Sequence, residues 1–346
     1  MLVILFAEAN ALRESNRNSA QAGIEVISPP WREHPAVSHP HLSTIVSSIK
    51  NNTYILGDVV GKGGYGLVYA GYRVLDSFPV AIKCGDPVRN HTYPIPDLRS
   101  EFARQTHIPH HFLWVSVLDY VVYASGHECI VMEQLGETLH SWMRRHAQLG
   151  YTIDQKWIKR MIYRVLKAIQ HVHMQGMAIR DIKHRNVLFT DKMYDQVKLC
   201  DFGLSVYADE RSSLEERDKR QGANGYVPPE YVDMDYWILD PRPVDIFQAG
   251  VMLRSLITME EPVAAAYEGG NPWNEMRILL KLRQMDLNVQ DLVAWMMNEN
   301  PKERCLVEEC LGVSWFDAVR WDVEVELNVI PGRITQTCLK SPRFTL

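Results

Sequence analysis

The spacing of apolar residues changes character midway along the chain. Residues 8–50 are polar and broken by Pro29, Pro30, Pro35 and Pro40, a pattern that predicts a flexible leader. Order is expected from Tyr54. Residues 54–60 and 67–70 read as strands either side of a glycine turn, and 80–83, 114–123 and 128–132 read as three more. Residues 98–105 read as a helix among them. Beyond residue 139 the period becomes helical. Residues 139–148 and 156–175 predict two helices, the second carrying Trp157, Ile158, Met161, Ile162, Val165, Leu166, Ile169 and Val172 at spacings of three and four. Gly176 supplies its stop. Helical patterning continues through Trp315 and Phe316, and residues 323–329 then alternate apolar with polar as a strand would.

Polar residues interrupt this pattern where packing alone gives no reason for them. Between apolar segments at 176–178 and 187–189 lies Ile-Arg-Asp-Ile-Lys-His-Arg-Asn, residues 179–186. Unpartnered buried charge is costly, so a loop this polar implies chemistry. Asp181 can accept a proton from an attacking hydroxyl, and the amide oxygen of Asn186 can hold a metal ion. A second carboxylate, Asp201, opens Asp201-Phe202-Gly203 after the apolar run 197–200. Nearer the N-terminus, Gly61, Lys62, Gly63, Gly64, Tyr65 and Gly66 form Gly-x-Gly-x-x-Gly between two strands. A dinucleotide fold would place a helix after such glycines, whereas here they let a hairpin backbone lie close over phosphates. Lys83, a lysine amid apolar strand residues, needs a partner. Glu101 offers one from the helix at 98–105, with Arg104 at helical spacing to compete for it. Ala81 is small enough to leave room for a flat ring.

In order and spacing over 54–317, these motifs resemble the eukaryotic protein kinase family, serine/threonine type. The resemblance implies an α+β, two-lobed protein kinase fold. A small β-rich N-lobe with one helix (54–135) would precede a larger, mainly helical C-lobe (136–317), between a leader at 1–53 and a tail at 318–346. It implies ATP and Mg2+ as cofactors and a protein as substrate. Asp181 would orient the substrate hydroxyl, Lys183 would steady the γ-phosphate, and Asn186 and Asp201 would hold magnesium. Lys83, positioned by Glu101, and the backbone of 61–66 would place the phosphates. Val68, Ala81 and Leu188 would contact the nucleotide, Met132 would guard the back of its pocket, and Glu133 and Leu135 would form the connection between lobes. The charged stretch 205–221 occupies the activation-segment position, where Ser212 and Ser213 are candidates for phosphorylation that pairs with Arg180. Glu230, in a turn resembling Ala-Pro-Glu, would pair with Arg304. Three departures stand out: Ile179 for a histidine, Ala223 for a threonine, and Gln105 for an apolar residue. They keep a second reading open, a pseudokinase acting as a nucleotide-responsive binding or scaffold module.

Composition narrows the surroundings. A hydrophobic fraction of 46% over 346 residues is ordinary for a globular chain. A net charge of -5 argues against a general nucleic-acid binder. Six cysteines without a Cys-x-x-Cys pair suit free thiols in a reducing compartment, so an intracellular location, cytoplasmic or nuclear, is expected. No apolar run approaches the roughly 20 residues of a membrane span. Nothing in the sequence sets an oligomeric state.

Overall fold

The computed structural model describes residues 45–63, 66–85, 98–109, 112–124, 126–190, 194–208, 225–231, 240–262 and 287–328. The N-terminal part is one antiparallel sheet of six strands: β1 (Ile45–Ser48), β2 (Tyr54–Gly63), β3 (Gly66–Arg73), β4 (Pro79–Gly85), β5 (Val117–Tyr123) and β6 (Glu128–Glu133), in the order β1-β5-β6-β4-β3-β2. Successive side chains of a strand point to opposite faces. Along β4, Val80, Ile82 and Cys84 pack with Tyr54, Tyr69, Val121 and Val131 on one face. Ala81 and Lys83 therefore point to the other, toward helix α1 (Leu98–His107) and the second lobe.

β1 lies within the stretch expected to be leader. It pairs with β5 through Ile45 opposite Tyr123 and Ser48 opposite Val121. Its anchor is Asp119, 1% exposed, which accepts from Ser48 Oγ at 2.6 Å and Tyr54 Oη at 3.0 Å. A short strand held by a polar contact carries little apolar signal, so periodicity passes over it.

The C-terminal part contains α2 (Leu139–Gln148), α3 (Gln155–His173), α4 (Arg242–Thr258), α5 (Leu287–Met296), α6 (Val307–Gly312) and α7 (Asp317–Asn328). Thr138 and Asp154 cap α2 and α3, accepting from the N–H groups of Ser141 and Trp157. Two small antiparallel pairs, β7 (Met177–Ala178) with β10 (Val206–Tyr207) and β8 (Val187–Phe189) with β9 (Val197–Leu199), frame the loop at 179–186. α4 is buried on nearly every side and forms the post on which the lobe is assembled. The turn bearing Glu230 is tied to Arg304 by a buried bidentate pair at 2.5 and 2.6 Å.

Two expectations are overturned here. The alternation at 323–329 predicted a strand, but residues 323–328 complete α7. Val319 and Val323 turn inward and Leu327 packs beside them, while Glu324 and Glu326 pair with Lys167 and Arg160 of α3. A Val-Glu-Val-Glu-Leu run satisfies either period, and the basic face of α3 decides for the helix. The cysteines expected as free thiols are largely paired: Cys84 with Cys129, and Cys305 with Cys310. The first pair joins directly opposed positions of β4 and β6, a juxtaposition created by strand pairing across 45 residues and invisible in spacing. Among the described residues Cys200 is free and buried.

Candidate active site

Three elements bring three charges together below the sheet. Lys83 of β4 donates to both carboxylate oxygens of Glu101 on α1, at 2.7 and 2.8 Å, and to Asp201 Oδ1 at 2.9 Å. Glu101 thus takes Lys83 as its partner in the contest with Arg104 foreseen from the sequence. Burial alone would lower the Lys83 pKa, but Asp201 and Glu101 overcome it and raise the pKa above the ordinary lysine value. For Asp201, burial pushes upward, yet the charges of Lys83 and Lys183 prevail and hold its carboxyl well below the usual range. Asp201 sits at φ +74°, a left-handed conformation uncommon for a side chain that is not glycine.

Asp181 is 3% exposed at the start of the polar loop. Both its oxygens accept from Lys183 Nζ, at 2.6 and 2.8 Å, and Asn186 Nδ2 donates to Asp181 Oδ2 at 2.9 Å. Burial raises its pKa, with Lys183 opposing. Asn186 stands at the end of the short 3-10 helix His184–Asn186. Its Oδ1 is buried without a hydrogen-bond partner. An orphaned amide oxygen in the same cluster as an ionised carboxylate fits a hard divalent cation such as Mg2+.

The glycine hairpin forms between β2 and β3, with Gly63 opposite Gly66. Gly66 has to be glycine, because a Cβ there would lie 2.0 Å from the Cys84 carbonyl oxygen. Gly61, Lys62 and Val68 lie on the two strands of that hairpin, while Gly64 and Tyr65 fall outside the described residues. Ala81 and Met132 are directly paired across β4 and β6. Met132 packs in one buried cluster with Leu135 and Leu188, so apolar side chains from both lobes meet beside the strand that carries Lys83. Glu133 turns its carboxylate to Ser116 N–H, at 2.7 Å, and to Lys198, and its own N–H is committed to Ser116 O. Any contact with a base edge there falls to the Glu133 carbonyl and to Leu135. Ser212, Ser213 and Ala223 also lie outside the described residues.

Two departures acquire a setting. Gln105 is buried, and its Nε2 donates to Val115 O at 2.9 Å. The apolar contact on Phe202 comes instead from Trp114, whose ring stands 4.6 Å away. The Ile179 side chain is fully packed in the helical core, and the loop is held through its backbone. Asp245 of α4 accepts from the N–H groups of Ile179 at 2.8 Å and Arg180 at 2.6 Å, and pairs with His173 at 2.9 Å. Gln248 accepts from Ile182 N–H at 2.8 Å and donates to Arg180 O at 2.9 Å. Neither role was assigned from sequence. The available signal was a carboxylate and an amide three residues apart in a segment that otherwise reads as core, where polar groups require partners.

Comparison with known proteins agrees with this geometry. Residues 54–316 match the family model described as protein kinase domain. The chain is 25% identical over 80% of its length to a probable serine/threonine-protein kinase 2 of Plasmodium falciparum. It is 25% identical over 76% to serine/threonine-protein kinase pim-2 of Danio rerio, and 27% identical over 82% to calcium-dependent protein kinase 8 of Arabidopsis thaliana. It spans about half of the first and third of these, 53% and 52%, and 84% of the second. No helix among the described residues is long and apolar enough to cross a membrane.

Proposed function

Because the chain belongs to the protein kinase family, we propose that it transfers the γ-phosphate of ATP to a serine or threonine hydroxyl of a protein substrate. The observation that carries this reading is the retention of Lys83, Glu101 and Asp201 in one bonded group and Asp181 and Asn186 in a second, the two coupled by charge. The substrate hydroxyl oxygen attacks the γ-phosphorus, the bond to the β,γ-bridging oxygen breaks, and ADP leaves. Asp181 orients that hydroxyl and receives its proton. Lys183 exchanges part of its contact with Asp181 for the transferred phosphate. Lys83 holds the α- and β-phosphates, and Glu101 keeps it in place. Asn186, through its unpartnered Oδ1, and Asp201 would hold Mg2+, which when bound would supply positive charge against the phosphates. The slot of Ala81, Met132, Leu135 and Leu188 receives the adenine. Most of the rate enhancement is positioning and electrostatics. Serine/threonine preference rests on Lys183, two residues after Asp181, and on the similarity to serine/threonine-protein kinases.

The test is magnesium-dependent transfer of labelled γ-phosphate to serine, threonine and tyrosine peptides, with Lys83→Met and Asp181→Asn proteins as controls. Transfer to serine or threonine that both substitutions abolish is the expected result. Nucleotide binding without transfer would favour the pseudokinase, for which Ile179, Gln105 and Ala223 speak.

A further inference from the structure

We propose that Gln248 is a positioning residue that fixes both peptide groups adjoining Asp181. This rests on the reading of Asp181 as the group that receives the hydroxyl proton. The Arg180 carbonyl belongs to the peptide bond entering Asp181, and the Ile182 N–H belongs to the one leaving it. A single side chain engages both: Gln248 Nε2 donates to the first at 2.9 Å and Gln248 Oε1 accepts from the second at 2.8 Å. Gln248 is 1% exposed, one turn after Asp245 on a helix buried along nearly its whole length. An amide placed so deep needs both halves satisfied, and here both halves are spent on the loop.

The loop needs this support. Arg180 adopts φ +64°, and a non-glycine residue persists there only where its surroundings over-determine it. Asp245 reaches the N–H groups of Ile179 and Arg180 and goes no further. The apolar Ile179 side chain offers no hydrogen bond of its own. Gln248 continues the attachment past Asp181, so that the two peptide planes setting the direction of its carboxylate are anchored to α4. Asp181 itself is left to Lys183 and Asn186.

Gln248→Met and Gln248→Glu separate this role from simple filling of space. Methionine keeps the length and removes both hydrogen bonds. The expected result for Gln248→Met is a fall in kcat of tenfold or more with KM for ATP within about twofold, since the nucleotide groups are untouched. Amide hydrogen exchange at Ile182 is expected to quicken by a similar factor, while the Leu199 amide, bonded to Leu113 O, keeps its protection. In Gln248→Glu, only the protonated carboxyl can reproduce both bonds. Its kcat should rise relative to wild type as the pH is lowered, a limb that Gln248→Met lacks. Should Gln248→Met not fold, that limb carries the test. Wild-type kcat and unchanged Ile182 exchange in Gln248→Met would overturn the proposal, as would a Gln248→Glu profile parallel to wild type. A wild-type protein that transfers no phosphate would defeat the proposed activity, and Ile182 exchange would still decide the role of Gln248.

Discussion

The two halves of the candidate site are held in different ways. On the nucleotide side, Lys83, Glu101 and Asp201 come from β4, α1 and the turn after β9, and they meet as an ionic triad between the lobes. On the substrate side, the loop around Asp181 is held by hydrogen bonds from two residues of one buried helix, Asp245 and Gln248. The ionic triad exists only while sheet, α1 and C-lobe keep their relative placement, so it registers how the lobes are arranged. The helix-anchored loop takes its support from within a single core.

The largest expected effect comes from the substrate side. Asp181→Asn retains the shape of the cluster and removes the proton acceptor, and should lower kcat by roughly 10²–10⁴-fold with ATP affinity within about twofold. Steady-state kinetics beside calorimetric nucleotide binding checks this. Asp245→Ala comes next and is chiefly structural. It strips the acceptor from two buried N–H groups, at a cost of about 1–3 kcal/mol each, which chemical denaturation would register together with a fall in kcat. Glu101→Gln should do the reverse. Loss of a charge-assisted contact with Lys83 should reduce kcat/KM for ATP about tenfold, while the denaturation midpoint falls less than in Asp245→Ala because Lys83 keeps Asp201. If Glu101→Gln and Asp245→Ala shifted stability equally, the contrast between the two halves would fail.

The remaining effect is confined to acid pH. Burial holds the His184 pKa down at about 3, below the ordinary value of about 6.5. As pH falls below 6.5 the unfolded chain takes up this proton first. The contribution of neutral His184 is therefore complete above that pH and is lost progressively toward pH 3. The wild-type denaturation midpoint should fall more steeply across this window than that of His184→Asn.

Much of this was legible in the sequence because each part left a local mark. Lys83 stood out as a cation in an apolar strand, and the 179–186 loop as polarity between apolar runs. What stayed hidden depended on distant pairing or on patterns with two solutions. β1 is held by Asp119 rather than by apolar alternation. Cys84 meets Cys129 only once β4 lies beside β6. The period at 323–328 was settled by charges on α3. Asp245 and Gln248 were visible as polar residues within a buried helix, but their target lies about 65 residues earlier, and only the fold discloses it.

In the proposed transfer Asp181 handles the hydroxyl and Lys83 the phosphates, within one step at one site. The most direct measurement is γ-phosphate transfer to a serine peptide at saturating magnesium and ATP, comparing wild type with Asp181→Asn at equal nucleotide occupancy. The account predicts robust wild-type transfer and a loss of at least 10²-fold in the variant. Equal transfer by the two proteins would contradict it.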